Sequence, residues 1–455
     1  MPISQQEILG KEAHDDKKMT LDNLTRLFKE AECRNLYAKV LAKNDNSKQQ
    51  IYFGPGFSAL SLFPNRGVSP DVKPGNETFK AQMLFSWIGV DGQLFRAPGA
   101  QLILYPQYPE VRFSGFLRGC PNGPNQLLTS REHGRILFLG VTRDESVIGF
   151  VAPVDSDLAN EFIKHYHEPD TGVFSEIALP LATGNRSART GLLAELLRIH
   201  RLGWIDSKRL GGDGSILPCK SSNCGGYTLE AELGVIPNGR SEPDFLGFEV
   251  KQTAVPSFER LESGIITLMT PEPTGGLYQD AGTRVFLRKY GYADKKGREN
   301  RINFGGNFKV GARNDTTGLT MHLLGYSHGK IDDKNGVVAL VADDGEIAAS
   351  WNFQGMMDHW TRKHAHAAYV PSMLRKDPVQ QYCYSGSIRL ASMPDFLLVL
   401  RALDKGVIYY DPGIKLENAS SKRSRLKKRS QFRIKSKDLG AIYGLCENID
   451  LRDPS

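Results

Sequence analysis

The chain has 455 residues, of which 40% are hydrophobic and 24% are charged, and its formal net charge is +7. This is the composition of an ordinary globular protein, and the length allows more than one domain with its own core. The longest apolar run, at 136–141, is too short to span a membrane, and residues 1–7 do not form a secretion signal, so we expect a cytoplasmic protein with no membrane partner.

The six cysteines lie far apart, at positions 33, 120, 219, 224, 383 and 446. Scattered cysteines predict reduced thiols rather than a disulfide framework. Cys219 and Cys224 are the one close pair, and zinc is not expected there because no second pair or nearby histidine accompanies them. We therefore predict ordinary thiols at both positions.

The first part of the chain predicts a mainly β domain. A helix is expected over 21–32, where apolar residues recur at helical spacing. Short β-like segments follow at 36–42, 50–53, 79–88, 101–105, 111–116, 135–141 and 147–151, separated by turn residues, and a short helix is expected at 157–165. This spacing favours a β-barrel-like domain over 1–181.

Several arginines of this domain are candidates for a surface that faces nucleic acid, although arginines on a barrel are more often simply solvated. They are Arg66, Arg96, Arg112, Arg118, Arg131 and Arg135. Residues 182–186 read as a linker, and Ser187 is placed to cap the first helix of a second domain over 187–455.

The segment EPDFLGFEVK at 242–251 predicts a turn that leads into a short strand. Glu249 and Lys251 are two residues apart and would share a face, whereas Asp244 is five residues from Glu249 and would point the other way on a straight strand. Both acids reach one site only if the backbone turns between them, so we expect a turn or bulge near Leu246 and Gly247.

Two carboxylates and a lysine suit metal-assisted cleavage of a phosphodiester. The acids would hold a hard divalent cation, usually Mg²⁺, and the lysine would orient water or neutralise charge in the transition state. A surface hairpin with a solvated Glu–Lys pair is the alternative that the motif alone leaves open.

Beyond the motif, a buried strand at 265–270 is expected to pair beside the catalytic strand. A hairpin is expected between 304–311 and 317–326, with Arg313, Asn314 and Asp315 at its turn. Arg and Asn side chains can read guanine and adenine edges, but an Asn–Asp turn whose side chains bond their own backbone fits equally well.

Two further segments are candidate DNA contacts. A helix over 351–364 ends near Arg362 and His364, where a helix C-terminus favours cations in any case. Residues 421–437 hold nine Lys or Arg and no acid, more than the whole net charge, and lead into a predicted strand around Phe432. We favour a phosphate-contacting loop there over a solvated tail.

The segment GGYTLEAELG at 225–234, the Asn238-Gly239 pair and the Asp244, Glu249 and Lys251 motif together resemble the MvaI/BcnI family of restriction endonucleases, and also the mismatch-repair nicking enzymes of the MutH type. The resemblance covers roughly 192–451. It implies that Glu230 joins Asp244 and Glu249 as a metal ligand, and that these three and Lys251 are the catalytic residues. Residues 36–45 and 62–64 resemble the EcoRII-type amino-terminal effector domain, which binds a second copy of the target site.

The resemblance implies an α/β fold of the restriction-endonuclease type, PD-(D/E)xK, with a mixed central sheet, preceded by a mainly β pseudobarrel. It implies a monomeric, Mg²⁺-dependent type II enzyme acting on double-stranded DNA. Target recognition would involve Arg429, Gln431 and Arg433, but residues 428–431 are KRSQ where the family commonly has HGTG, which puts an inherited target sequence in doubt. A mismatch- or modification-directed nicking enzyme and a non-catalytic DNA-binding regulator are the alternatives.

Overall fold

The structure is a computed structural model that describes residues 19–453, apart from 74, 76, 167, 170, 180–187, 222 and 237–243. The chain divides into two compact units, Met1–Ser187 and Ala188–Ser455, which we call the amino-terminal unit and the carboxy-terminal unit. No helix among the described residues is long and apolar enough to cross a membrane.

The amino-terminal unit is mainly β, as the sequence predicts. Its described helices are α1 (Leu21–Glu30), α2 (Ala59–Leu62), α3 (Asn125–Thr129) and α4 (Asp157–His165). Its described strands are β1 (Cys33–Leu41), β2 (Ile51–Pro55), β3 (Val68–Pro70), β4 (Phe79–Gln82), β5 (Phe85–Ile88), β6 (Leu94–Arg96), β7 (Gln101–Tyr105), β8 (Glu110–Ser114), β9 (Arg135–Thr142), β10 (Val147–Ala152) and β11 (Ser175–Ile177).

Within the described residues these strands form two sheets, in the orders β11-β1-β9-β10-β5-β6 and β2-β8-β7-β4-β3. The segment predicted as one strand at 79–88 is two strands, one in each sheet. Aromatic side chains fill the core of the unit, and Phe113 packs against both Phe53 and Phe85 at ring-centroid distances of 5.1 and 5.0 Å. Such pairs add to the apolar burial because their edges and faces carry opposite partial charge.

Arg135 is not on the surface, so its prediction as a nucleic-acid-facing residue is wrong. Its side chain is fully buried and donates to the carbonyl oxygens of Glu132, Leu127, Ala42 and Asp45. A buried guanidinium persists only when its donors are satisfied, and here backbone carbonyls satisfy them. Arg135 therefore ties loops of the unit together.

The carboxy-terminal unit mixes helices with several sheets, which confirms the predicted α/β class. Its described helices are α5 (Ala188–Arg201), α6 (Cys224–Glu232), α7 (Leu277–Asp280), α8 (Thr283–Tyr290), α9 (Phe353–Lys363) and α10 (Phe396–Asp404), with 3₁₀ turns at Leu261–Ser263 and Ser436–Ala441.

The described strands of this unit run from Trp204 to Asp450. They are β12 (Trp204–Asp206), β13 (Lys208–Leu210), β14 (Ile216–Pro218), β15 (Glu249–Ala254), β16 (Ile265–Met269), β17 (Tyr292–Ala293), β18 (Arg301–Gly305), β19 (Arg313–Asn314), β20 (Leu319–Leu324), β21 (Tyr326–Ser327), β22 (Lys330–Ile331), β23 (Val337–Ala342), β24 (Ile347–Asn352), β25 (His366–Arg375), β26 (Gln381–Tyr384), β27 (Ser387–Pro394), β28 (Tyr409–Tyr410), β29 (Gly413–Glu417), β30 (Arg425–Lys427), β31 (Phe432–Lys435) and β32 (Tyr443–Asp450).

The central sheet follows the order β12-β26-β25-β27-β32, and β15 pairs in parallel with β25, from Glu249 opposite Ala367 to Ala254 opposite Ser372. The other pairs in this sheet are antiparallel, so the sheet is mixed, as predicted. The sequence-based expectation that β16 pairs beside the catalytic strand is wrong, because β16 pairs with β31. Helices α5 and α6 cover the central sheet and share its apolar core through residues such as Leu192, Leu229 and Val250.

The predicted hairpin at 304–326 is only partly correct. Strand β19 does pair with β20 around a turn at 315–318, but β18 pairs with β17 and β29 instead. A second correction concerns Cys219 and Cys224, which form a disulfide at the start of α6 rather than ordinary thiols. The other four cysteines are free.

Candidate active site

The entrance to β15 is a tight hairpin turn. Phe245 and Phe248 exchange two backbone hydrogen bonds, of 3.0 and 2.8 Å, so that only Leu246 and Gly247 lie between them. Both central residues have positive φ, 49° and 84°, which is the geometry of a type I′ turn. This conformation suits glycine and is unfavourable for leucine, so Gly247 is well matched to it. The predicted turn is confirmed.

The turn brings Asp244 back to the strand. An Asp244 side-chain oxygen, Oδ2, accepts a hydrogen bond from the backbone N–H of Val250 at 3.0 Å, directly beside Glu249. Glu249 and Lys251 share a face, as the alternation of the strand requires, and Lys251 Nζ donates to Glu249 Oε1 at 3.0 Å. Their side chains are 10% and 19% exposed, so the pair is not a solvated surface pair.

Helix α6 supplies the third acid, Glu230. The pKa of Glu230 is raised to about 7, mainly by burial and then by the negative charges of Asp244 and Glu249, although the ammonium of Lys251 acts to lower it. All four predicted catalytic side chains are therefore close enough to interact electrostatically. A carboxyl group with this pKa sits where a positive charge would be stabilised.

The second acid of α6, Glu232, belongs elsewhere. It forms ion pairs with Lys208 at 2.5 Å and with Arg198 at 3.4 Å. Glu232 therefore anchors the end of the helix to α5 and β13.

Several residues that position α6 were not identified from the sequence. Tyr384 donates to the carbonyl oxygen of Gly225 at 2.7 Å, and Thr228 exchanges hydrogen bonds with the backbone of Lys208. Gln252 donates to Ser372 Oγ at 2.9 Å, and its carboxamide lies so close to Gly225 that a side chain there would meet it at 2.9 Å. The available signal was that Gln252, a polar residue, stands two positions after the core residue Val250 on the same face of the strand.

The described residues contain no group of three or more His, Cys, Asp or Glu side chains that could together hold a metal ion. The expectation of three carboxylates gathered around one cation is therefore not met in this arrangement. The donors do fit Mg²⁺ in another way, because this ion usually takes one or two carboxylates and completes its octahedron with water and substrate phosphate. Asp244 and Glu249 supply two oxygen-bearing side chains, with Glu230 beside them.

The model of the MvaI/BcnI restriction endonuclease family matches residues 193–443, more than half of the chain. The chain belongs to the MvaI/BcnI restriction endonuclease family. The predicted resemblance to this family is thus confirmed, and family membership supports a DNA-cleaving endonuclease. No match was found among curated proteins.

Two solved structures are similar to part of this MvaI/BcnI family member. The restriction endonuclease MvaI in complex with its cognate DNA substrate has 17% identity and a TM-score of 0.42, and the match covers 58% of this chain and 99% of that one. MvaI in the absence of DNA has 16% identity and a TM-score of 0.33, and the match covers 59% and 99% of the two chains. At these values neither structure bears on the roles of individual residues.

At the β19–β20 turn, the side chains predicted to contact DNA form hydrogen bonds and ion pairs with neighbouring groups of the protein. Asn314 Oδ1 accepts from the backbone N–H groups of Thr316 and Thr317 at 3.1 and 3.2 Å, which is the self-bonded turn left open by the sequence. Arg313 forms ion pairs with Asp315 at 2.8 Å and with Asp343 at 2.7 Å. Both acids are well exposed, so the guanidinium stays near the surface, and its reading of bases remains a prediction.

The end of α9 places His364 inside the protein. The side chain is 1% exposed, stacks on Trp360 at 4.1 Å and has Nδ1 3.0 Å from the Trp360 carbonyl oxygen. Direct contact between His364 and DNA does not fit this burial. The side chain of Arg362 lies outside the described part of the structure, as do Asn238, Gly239, Glu242 and Pro243.

The three residues predicted around β31 lie in different surroundings. Arg429 is exposed, whereas Gln431 is half-buried. Arg433 forms an ion pair with Asp411 at 2.8 Å and stands between β16 and β28. Of the three, Arg429 is the most accessible to a ligand.

Proposed function

We propose that the protein is a Mg²⁺-dependent type II restriction endonuclease that hydrolyses phosphodiester bonds of double-stranded DNA at a short specific sequence. The observation that carries this proposal is the turn at Leu246-Gly247, which returns Asp244 to Glu249 and Lys251 on a largely buried strand end. Gathering three carboxylates and an ammonium at a site where Glu249 is buried and the other three are half-buried costs free energy that a purely structural turn would not require.

Each residue has a distinct task in this proposal. Asp244 and Glu249 hold Mg²⁺, which when bound polarises the phosphate and lowers the pKa of a bound water. Lys251 lies 3.0 Å from Glu249, where its ammonium orients the attacking water and offsets negative charge that grows on the phosphoryl oxygens. Glu230 helps to hold that water or a second ion. Its raised pKa shows that the ionised carboxylate is destabilised when no cation is nearby, so a bound cation would stabilise it.

The described part of the chain contains one such set of residues, so in this proposal each chain cuts one strand at a time. A monomer would therefore make a double-strand break by two successive nicks. A dimer would be required only if both strands were cut in a single encounter.

The proposal is tested by incubating the purified protein with matched, unmodified plasmids, and in parallel with mismatched and with modified plasmids, in Mg²⁺ or EDTA. We expect discrete linear fragments with Mg²⁺ only, and sequencing of their ends should return one short common sequence. Nicked circles confined to mismatched or modified plasmid would support the nicking enzyme instead. DNA binding without cleavage under any divalent metal would support the non-catalytic regulator.

We further propose that the amino-terminal unit binds a second DNA copy. What supports this is a polar cavity of about 680 Å³ in that unit. Amide, phenol and guanidinium groups line it, the combination that hydrogen-bonds to base edges and stacks on bases. These residues are Asn44, Gln49, Gln50, Tyr52, Tyr105 and Arg112. Asp45, Lys48 and Glu110 complete the lining, and Glu110 forms an ion pair with Arg112 at 2.7 Å.

This second proposal predicts an effect in trans. A short duplex with the target sequence should speed the cleavage of a single-site plasmid. Arg112→Gln should remove that stimulation while leaving the unstimulated rate within about twofold, because Arg112 belongs to the amino-terminal unit and the proposed catalytic residues belong to the carboxy-terminal unit. The matched control is Arg143→Gln, an exposed arginine of the same unit outside the cavity. Absence of stimulation in the unmodified protein, or equal behaviour of both variants, would refute the effector role.

A further inference from the structure

The sheet β17-β18-β29-β30 has one apolar face and one charged face. The apolar face packs on α8, where Phe304 and Phe286 are in contact at a ring-centroid distance of 4.7 Å and Ile414 and Leu416 are buried. Because side chains alternate along a strand, the residues between these point to the opposite side. We call that opposite side the open face.

The register of the strands sets basic residues side by side on the open face. Asn303, Lys415 and Lys427 lie opposite one another on three successive strands. Arg301, Glu417 and Arg425 form the next row. Lys415 and Lys427 are thus directly opposed like charges, an arrangement that destabilises a sheet when nothing compensates it.

A further guanidinium lies on the same face. Gly413 is so close to Arg429 that a side chain at this glycine would meet Arg429 Nε at 2.6 Å, so Arg429 covers the end of β29. Gly413 pairs with Gly305, so the guanidinium of Arg429 lies over the glycine end of the open face, next to the row that contains Lys415.

Acidic groups of the protein compensate only part of this charge. Asp294 pairs with Arg301 at 3.5 Å and Glu417 pairs with Lys427 at 2.9 Å. Within the described part of the chain, neither Lys415 nor Arg429 forms an ion pair. Burial lowers the pKa of Lys415, and the surrounding cations, with Arg301 and Arg429 foremost, lower it further.

We propose that the open face binds the phosphodiester backbone of duplex DNA, with Lys415 at its centre and the exposed Lys427 and Arg429 beside it, whereas the side chain of Arg301 is only 8% exposed and stays with Asp294. Like charges that repel each other in the free protein are stabilised when a polyanion lies between them. Adjacent strands are about 4.8 Å apart, so the opposed lysines can bracket one phosphate or two neighbouring phosphates. This inference rests on the proposed function. In it, the sheet positions the protein on the duplex and does not read the bases.

The test uses the full chain carrying Lys415→Gln and Lys427→Gln together. Binding to two duplexes, one with the cleavage sequence and one scrambled, is measured over a range of salt concentrations in EDTA so that no cutting occurs. We expect the slope of log affinity against log salt to become shallower by about 0.9 for each lost phosphate contact. Affinity should fall by a similar factor for both duplexes, because phosphates carry no sequence information.

The matched control is Lys376→Gln with Lys405→Gln, two exposed lysines of the same unit that lie outside this sheet. It makes the same change in net charge and should leave the slope unchanged, and thermal melting should show that all variants are folded. An unchanged slope in the sheet variant, an equal loss in the control, or a loss confined to one duplex would overturn the inference. If the unmodified protein binds DNA with the expected variant effect but never cleaves it, the endonuclease proposal fails while this inference stands.

Discussion

Replacing Lys251 by Ala is expected to lower the rate of DNA cleavage by about 10²–10⁴-fold, the range for losing one group that stabilises charge or positions a proton in the transition state. The variant removes the ammonium that lies 3.0 Å from Glu249 at the end of β15. Affinity for uncut DNA should change little, because a group that acts mainly in the transition state contributes little to ground-state binding. Single-turnover cleavage and binding in EDTA separate the two effects.

The control for this variant is Lys208→Ala. Lys208 also forms an ion pair with a carboxylate, Glu232, at 2.5 Å, but Glu232 is two positions after Glu230 on α6 and therefore does not share its face of the helix. Its loss should leave the single-turnover rate within about tenfold, since a partly exposed ion pair contributes on the order of 1 kcal/mol. If Lys251→Ala cleaves as fast as Lys208→Ala, the lysine has no catalytic role and the assignment of this site is wrong.

The local geometry of the site could be predicted because short-range rules decide it. Strand alternation alone places Glu249 and Lys251 together, and the structure confirms it. The five-residue gap to Asp244 demands a reversal, and Gly247 marks where it occurs. No knowledge of the rest of the chain is required for either step.

The neighbours of the catalytic strand could not be predicted in the same way. The next strand in sequence, β16, pairs with β31, whereas β15 pairs with β25, more than a hundred residues away. Two parallel strands must be joined by a long crossover connection, so nothing in the sequence near β15 indicates which later strand it pairs with. Arg135 shows a related limit, because all eight residues of β9 are buried and the strand has no alternation that would reveal the burial of an arginine.

Some chemical alternatives are equally plausible in the sequence, and only the hydrogen bonds and ion pairs of the structure distinguish them. Asn314 was as suitable for a base contact as for a self-bonded turn, and its backbone hydrogen bonds favour the turn. Glu230 and Glu232 differ by two positions on one helix, yet one faces the catalytic acids and the other is held by Lys208 and Arg198. The chain segments that hold Glu232 could not be placed from the sequence.

The pKa of Glu230 predicts how metal dependence should vary with pH. Burial and the charges of Asp244 and Glu249 raise it to about 7. Below this pH the carboxyl group is protonated and neutral, whereas a bound cation stabilises its ionised form. Mg²⁺ and that proton therefore compete. The Mg²⁺ concentration for half-maximal cleavage should fall by up to about tenfold per pH unit between pH 5.5 and 7, if one proton is released, and level off above pH 7.5.

The same shift fixes the sign of a stability effect in the absence of metal. Between its ordinary value of 4.5 and about 7, the folded protein binds this proton more strongly than the unfolded chain does, so the free energy of unfolding should decrease as pH rises through that window. Glu230→Gln cannot ionise, and it should therefore be more stable than the unmodified protein at pH 8 in EDTA while losing the pH dependence of its Mg²⁺ requirement. Urea unfolding at pH 5.5 and 8, together with Mg²⁺ titrations of cleavage, measures both.

Glu232→Gln is the matched control because that carboxylate is already paired with Lys208 and Arg198. If Glu230→Gln keeps the full pH dependence of the Mg²⁺ requirement, Glu230 does not take part in holding the ion or its water, and Asp244 and Glu249 alone bear that role.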